Sequence, residues 1–176
     1  MIVAMTEPLD VGEQPEEFTA VYARLHRDVF RYCLVLTRSV EDAEDVAGET
    51  FERGLRAWRF GRAAAGQPLP WLLLIARRIV IDRARRRRLL RWLPLSAAPA
   101  VRTTAPLEAE RIEFWLWFDR LSDALTSRQR EVLLLRYQSD LTDAEIGRIL
   151  GLSEPGVRSL ASRAISSLRQ HPELLR

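Results

Sequence analysis

The chain has 176 residues, 47% of them apolar, enough for one domain or two small ones with true cores. It carries 27 basic residues against 24 acidic ones, every basic residue is arginine, and lysine and asparagine are absent. A single cysteine, Cys33, excludes an intramolecular disulfide, and two histidines far apart in sequence, His26 and His171, leave no cysteine–histidine dyad or metal cluster, so neither an enzyme nor a bound cofactor is expected.

The formal net charge of +3 hides a polarised distribution. From Glu7 to Glu52 twelve acidic residues face four arginines, whereas Arg77 to Arg91 holds eight arginines and only Asp82. That asymmetry points to two partners, one for each sign. The start of the chain lacks a basic segment followed by an apolar run, and the longest apolar stretch, Trp71 to Ala76, is too short to span a bilayer. No membrane insertion and a cytoplasmic location are therefore expected, and without a long C-terminal extension regulation is expected to come from another chain.

The first periodic segment, from about Pro15 to Thr37, places Phe18, Tyr22, Leu25, Val29, Tyr32, Cys33 and Leu36 at spacings of three and four, the mark of a long amphipathic helix. Ser39 is placed to cap a second helix. Its buried stripe is Ala43, Val46, Ala47, Thr50, Phe51, Leu55 and Trp58, with Glu41, Asp42, Asp45, Glu49 and Glu52 toward the exposed side. A third helix starts with Pro70 in its first turn and runs to about Arg91 or Trp92, apolar in its first half and basic in its second.

Between Pro94 and Pro106 the sequence loses periodicity and reads as an exposed linker. Beyond it Leu107 to Leu125 is helical, with Phe114, Phe118, Leu121 and Leu125 on the buried stripe. Trp115 and Trp117 exceed what that stripe needs, and they are expected to pack on the first domain or on an inhibitory protein. Thr126 with Gln129 can cap a helix ending near Tyr137. No strand pattern or internal repeat occurs. The expected fold is all-α: two small helical bundles joined by a flexible linker, spanning residues 15–92, 93–106 and 107–172.

The segment from Thr142 to Leu160 fits a helix-turn-helix at each demanding position. Thr142 and Glu145 make a capping box, Gly147 is small where two helices approach, Gly151 suits a left-handed turn, and Ser153 caps the second helix. Ile146, Leu150, Leu152, Val157 and Leu160 form the seam. Glu154, Arg158, Ser159, Ser162 and Arg163 then point outward from the second helix, the set that would enter a major groove.

In this order the motifs resemble the small two-domain, extracytoplasmic-function type of bacterial RNA polymerase sigma factor. DAEDVAGETF, Asp42 to Phe51, is similar to the region 2 helix that binds the β′ clamp, which implies polymerase binding by Asp42, Asp45, Val46 and Glu49. WLLLIARRIVIDRARRRR, Trp71 to Arg88, is similar to the helix that engages the minus-ten element. The resemblance assigns Arg77, Arg78, Arg83, Arg85 and Arg86 to DNA, with Phe60 and Trp71 flanking the loop that captures a flipped base. LTSRQREVLLLRY, Leu125 to Tyr137, together with the helix-turn-helix is similar to region 4, which reads the minus-thirty-five element and contacts the β flap. Arg158 is the expected base reader, with Arg163 beside it and Ser153, Ser159 and Ser162 suited to phosphates. The implied partners are core RNA polymerase, promoter DNA and an anti-sigma protein. Gly48, Arg78, Gly156 and Leu160 depart from the family's usual residues. The competing reading, a stand-alone helix-turn-helix regulator acting as a dimer, lacks a role for the second basic helix and the charge asymmetry.

Overall fold

The computed structural model describes residues 17–60, 67–90, 114, 116, 119–121 and 124–171. Among them are six α-helices, one π-helical turn and no strand. The first three helices, α1 (Phe18–Thr37), α2 (Val40–Arg59) and α3 (Pro68–Leu90), pack mutually into one bundle.

A sharp reversal joins α1 to α2. Arg38 takes a left-handed conformation, φ 57°, and its N–H bonds to the Leu34 carbonyl. The next residue, Ser39, accepts the Asp42 N–H at 3.3 Å and opens α2, as the cap pattern predicts. Gly54 faces α1 and α3 so closely that a Cβ there would lie 3.0 Å from Leu72 and 3.2 Å from Phe18. An edge-to-face array of Phe18, Phe51 and Trp58 closes this end of the bundle.

The second bundle contains α4 (Ser127–Leu133), a π-helical turn (Leu134–Gln138), α5 (Asp143–Leu150) and α6 (Glu154–Arg169). Both expected capping boxes form, Thr126 with Gln129 and Thr142 with Glu145. The helix foreseen to end near Tyr137 does so by widening. Ser139 N–H reaches back five residues to the Leu134 carbonyl at 3.1 Å, and Asp140 then reverses the chain at φ 51°. Gly151 ends α5 at φ 68°, where its lack of a Cβ removes the left-handed penalty. Gly147 is required by contact instead: a Cβ would sit 2.6 Å from the Leu152 carbonyl oxygen. Ser153 caps α6 by accepting the Gly156 N–H at 3.3 Å.

The bundles are packed against each other. Helix α1 lies on α4 and the π-helical turn, α3 lies on α5, and one apolar core runs through both bundles. This contact explains why the C-terminal half of α1 is buried on more than the face its periodicity marks: Phe30, Leu34 and Val35 are covered as well as Val29 and Cys33. Tyr22 goes the other way, 45% exposed although it belongs to the apolar stripe, with its ring tilted against His26 and edge-on to Phe51. Phe114, Leu121 and Leu125 are buried as expected. The linker, Trp115, Trp117 and the first sixteen residues lie outside the described residues.

Candidate nucleic-acid interface

The helix-turn-helix presents one polar face. Val157, Ala161 and Ala164 turn α6 inward, which leaves Glu154, Arg158, Ser159, Ser162 and Arg163 exposed together, with the capping Ser153 at the same end. Arg158 is not a loose side chain. Its Nη1 lies 3.6 Å from an Asp143 carboxylate oxygen and 3.8 Å from Glu154, while Arg136 pairs with the other Asp143 oxygen. Asp143, in the first turn of α5, thus stands between two arginines. The sequence reading missed Asp143 and Arg136, because the pairing depends on how α5 and α6 cross and no spacing rule carries it. Arg163 folds back along its helix, its Nε donating to the Ser159 carbonyl at 3.3 Å.

In the first bundle the basic end of α3 exposes Arg78, Arg85 and Arg86, and Arg83 is half-buried. The acidic helix and the basic helix are in direct contact, which the linear charge pattern did not reveal. Glu49 accepts from Arg83 at 2.8 Å and from Arg53 at 2.6 Å, and Asp42 accepts from Arg87 at 3.0 Å. Burial works against the charge on Glu49, yet its bonds and proximity to Arg83 and Arg53 hold its carboxyl below the ordinary value. Asp42, Val46, Val80, Arg83 and Arg87 line a shallow cavity of about 180 Å³ where the two helices meet.

Three expected site residues require correction. Val46, expected among the polymerase-binding residues, is fully buried in the bundle core, since it lies on the same stripe as Ala43, Ala47 and Thr50. Of the four residues expected to meet polymerase, Asp45 is the one exposed, with Asp42 and Glu49 half-buried. Arg77 does not face outward with the other α3 arginines: its Nε donates to Glu131 at 3.0 Å, and only 19% of its side chain is exposed. Trp71 packs on Trp58 with ring centroids 6.4 Å apart and lines a crevice of about 280 Å³ with Glu145, Arg148 and Ile149 of the second bundle. It is partly buried at the bundle contact, packed against the core. Phe60 is 76% exposed at the end of α2. Gly48 is also exposed, with nothing near its Cα face.

Among the described residues no group of His, Cys, Asp and Glu could hold a metal ion, and no helix is long and apolar enough to cross a membrane. An exposed helix-turn-helix face beside a second, arginine-rich helix defines a DNA-binding protein with two separate basic elements.

Residues 21–89 match sigma-70 region 2 and residues 123–170 match sigma-70 region 4. The chain is 31% identical over 156 residues to the ECF RNA polymerase sigma factor SigL of Mycobacterium tuberculosis, covering 85% of each chain. It is 27% identical over 168 residues to the ECF sigma factor SigX of Bacillus subtilis, covering 92% of this chain and 86% of that one. With the "Probable RNA polymerase sigma factor RfaY" of Xanthomonas campestris it shares 36% identity over 145 residues, but it spans only 35% of that protein's length. The fold is also that of RpoE from Bartonella quintana, solved with the anti-sigma factor NepR, at TM-score 0.64, 21% identity and coverage of 90% of this chain and 96% of that one. The chain belongs to the extracytoplasmic-function RNA polymerase sigma factors, which bind core polymerase and direct promoter-specific initiation of transcription.

Proposed function

We propose that the division of labour follows the two bundles, with residues 15–92 engaging core polymerase and the minus-ten element, 93–106 acting as the connection, and 107–172 reading the minus-thirty-five element. The observation that carries this reading is the exposed polar face of α6, held over a glycine-tight turn, in the same chain as the arginine end of α3. Arg78, Arg83, Arg85 and Arg86 neutralise phosphates, a term that weakens steeply with salt. Phe60 offers an open ring beside the loop, and stacking a base on it is worth about 1–3 kcal/mol, comparable to the cost of unstacking that base. Arg158, held by Asp143, reads a base edge, while Ser153, Ser159 and Ser162 bond phosphates and Arg163 supports them. Glu154 orients Arg158 from its own helix.

On the polymerase side Asp45 supplies the exposed negative charge, with Asp42 and Glu49 behind it in their arginine pairs. The factor works in the cytoplasm, uses no cofactor and catalyses no reaction itself. An anti-sigma protein is its proposed regulator, in line with the fold it shares with factors solved in complex with NepR and CnrY. The test is a footprint of the assembled holoenzyme on selected promoter fragments. Protection of two separated elements is expected, with the upstream one lost selectively in Arg158→Ala. A single two-fold symmetric footprint formed without polymerase would contradict the reading and favour a dimeric regulator.

A further inference from the structure

Glu131 is a charged side chain in the second bundle with 6% of its surface exposed, and both partners of its carboxylate lie in the first bundle. Tyr32, fully buried in α1, donates its hydroxyl to Glu131 Oε1 at 2.7 Å, and Arg77 of α3 donates its Nε to the same oxygen at 3.0 Å. This is the one place where the described bundle contact is made by a buried, directional polar cluster. Elsewhere the contact is apolar, as where Trp71 and Leu74 face Ile149, or polar but exposed, as where Arg38 pairs with Asp119 at 3.3 Å.

We propose that Glu131, Tyr32 and Arg77 form a latch that holds the free factor closed, and that promoter engagement requires the latch to open. This latch matters only if the chain reads two promoter elements, as proposed above. Elements centred about 25 base pairs apart lie roughly 85 Å apart along the duplex at about 3.4 Å per pair. A compact chain of this length has a radius of gyration near 16 Å, so it is about 40 Å across and cannot touch both. With the bundles separated, linker residues 93–106 reach about 50 Å when fully extended, and the bundles themselves cover the remainder. The closed form is therefore incompatible with simultaneous recognition.

The chemistry of the latch suits reversible closure. On opening, water takes over the bonds to the Glu131 carboxylate, the Arg77 guanidinium and the Tyr32 hydroxyl, so no polar group is stranded. The position of Arg77 adds competition: while Glu131 occupies it, this arginine of the DNA-facing helix is unavailable to a phosphate. Removing Glu131 instead leaves a buried guanidinium and hydroxyl unpaired in the closed state, which favours the open one.

The experiment compares the full chain with Glu131→Ala and Tyr32→Phe by small-angle X-ray scattering, with circular dichroism to verify that each variant is helical. The wild-type chain is expected to be compact, Glu131→Ala to expand beyond a radius of gyration of about 20 Å, and Tyr32→Phe, which keeps the ring and loses one bond, to fall between them. In parallel, promoter-complex formation with core polymerase at limiting factor is titrated. Glu131→Ala should need up to about tenfold less factor if the closed state dominates, since apparent affinity scales with the competent fraction. Wild-type dimensions in both folded variants overturn the latch, and expansion without a gain in complex formation overturns its inhibitory role. If the wild-type chain forms no promoter complex at any concentration, the two-element reading fails, and the scattering alone decides the latch.

Discussion

A methyl group added at Gly147 would meet the Leu152 carbonyl oxygen at 2.6 Å, and that carbonyl belongs to the turn that aims α6. Gly147→Ala is accordingly expected to cost about 1–3 kcal/mol in a urea titration, the range for overpacking a fixed contact. A second prediction concerns pH. The Thr142 hydroxyl and backbone N–H hold the Glu145 carboxyl below its ordinary value of 4.5, against an opposing push from burial. A depressed acid contributes stability that is fully present above 4.5 and lost as pH falls through its lower folded value. Glu145→Gln keeps a capping acceptor but cannot titrate, so its loss of stability between neutral and acid pH should be smaller than that of the wild type. Cys33 gives a third check: burial pushes its thiol up to about 12, so alkylation at pH 8 should be negligible until the chain is unfolded. These local features were legible in the sequence because a cap and a left-handed turn involve neighbours within four residues. Glu131 was not, since its partners Tyr32 and Arg77 are 99 and 54 residues away.

At the scale of elements, periodicity identified the helices but misjudged what covers them. Helix α1 has a stripe suited to one bundle, yet Phe30, Leu34 and Val35 are buried because the second bundle supplies another wall. Val46 shows the reverse error, an apolar stripe residue that was also assigned to an outer face, where a single helix position cannot serve both. For α2 the ion pairs to α3 decide which acid is a clean probe. Reversing Glu49 would break its bonds to Arg83 and Arg53 and disturb the bundle, whereas Asp45 is exposed. Asp45→Arg is expected to weaken core-polymerase binding at least severalfold at low salt while leaving the thermal midpoint unchanged, and an unaltered affinity would remove α2 from the polymerase interface. In α6, Arg158→Ala should cost about 1–3 kcal/mol of discrimination between promoter sequences with core binding intact. A uniform loss across all sequences would instead make Arg158 a phosphate contact.

For the whole molecule, the charge polarity first seen along the chain becomes a spatial arrangement. Acid and base on α2 and α3 neutralise each other along one edge, so the outward charge is smaller than the linear runs imply, and the exposed α3 arginines outside those pairs are Arg78, Arg85 and Arg86. The all-α, two-bundle organisation followed from the helical periods and the proline-bounded break between them. Their closure on one another did not, because a contact between two bundles depends on three-dimensional faces that no local pattern encodes. The most direct test of the central claim is run-off transcription with purified bacterial core RNA polymerase, comparing the wild-type chain with Asp45→Arg and Arg158→Ala. The account predicts specific initiation by the wild type, loss through core binding in the first variant and loss through promoter choice in the second. Tight binding to DNA by the chain alone, with no initiation when core polymerase is supplied, would contradict it.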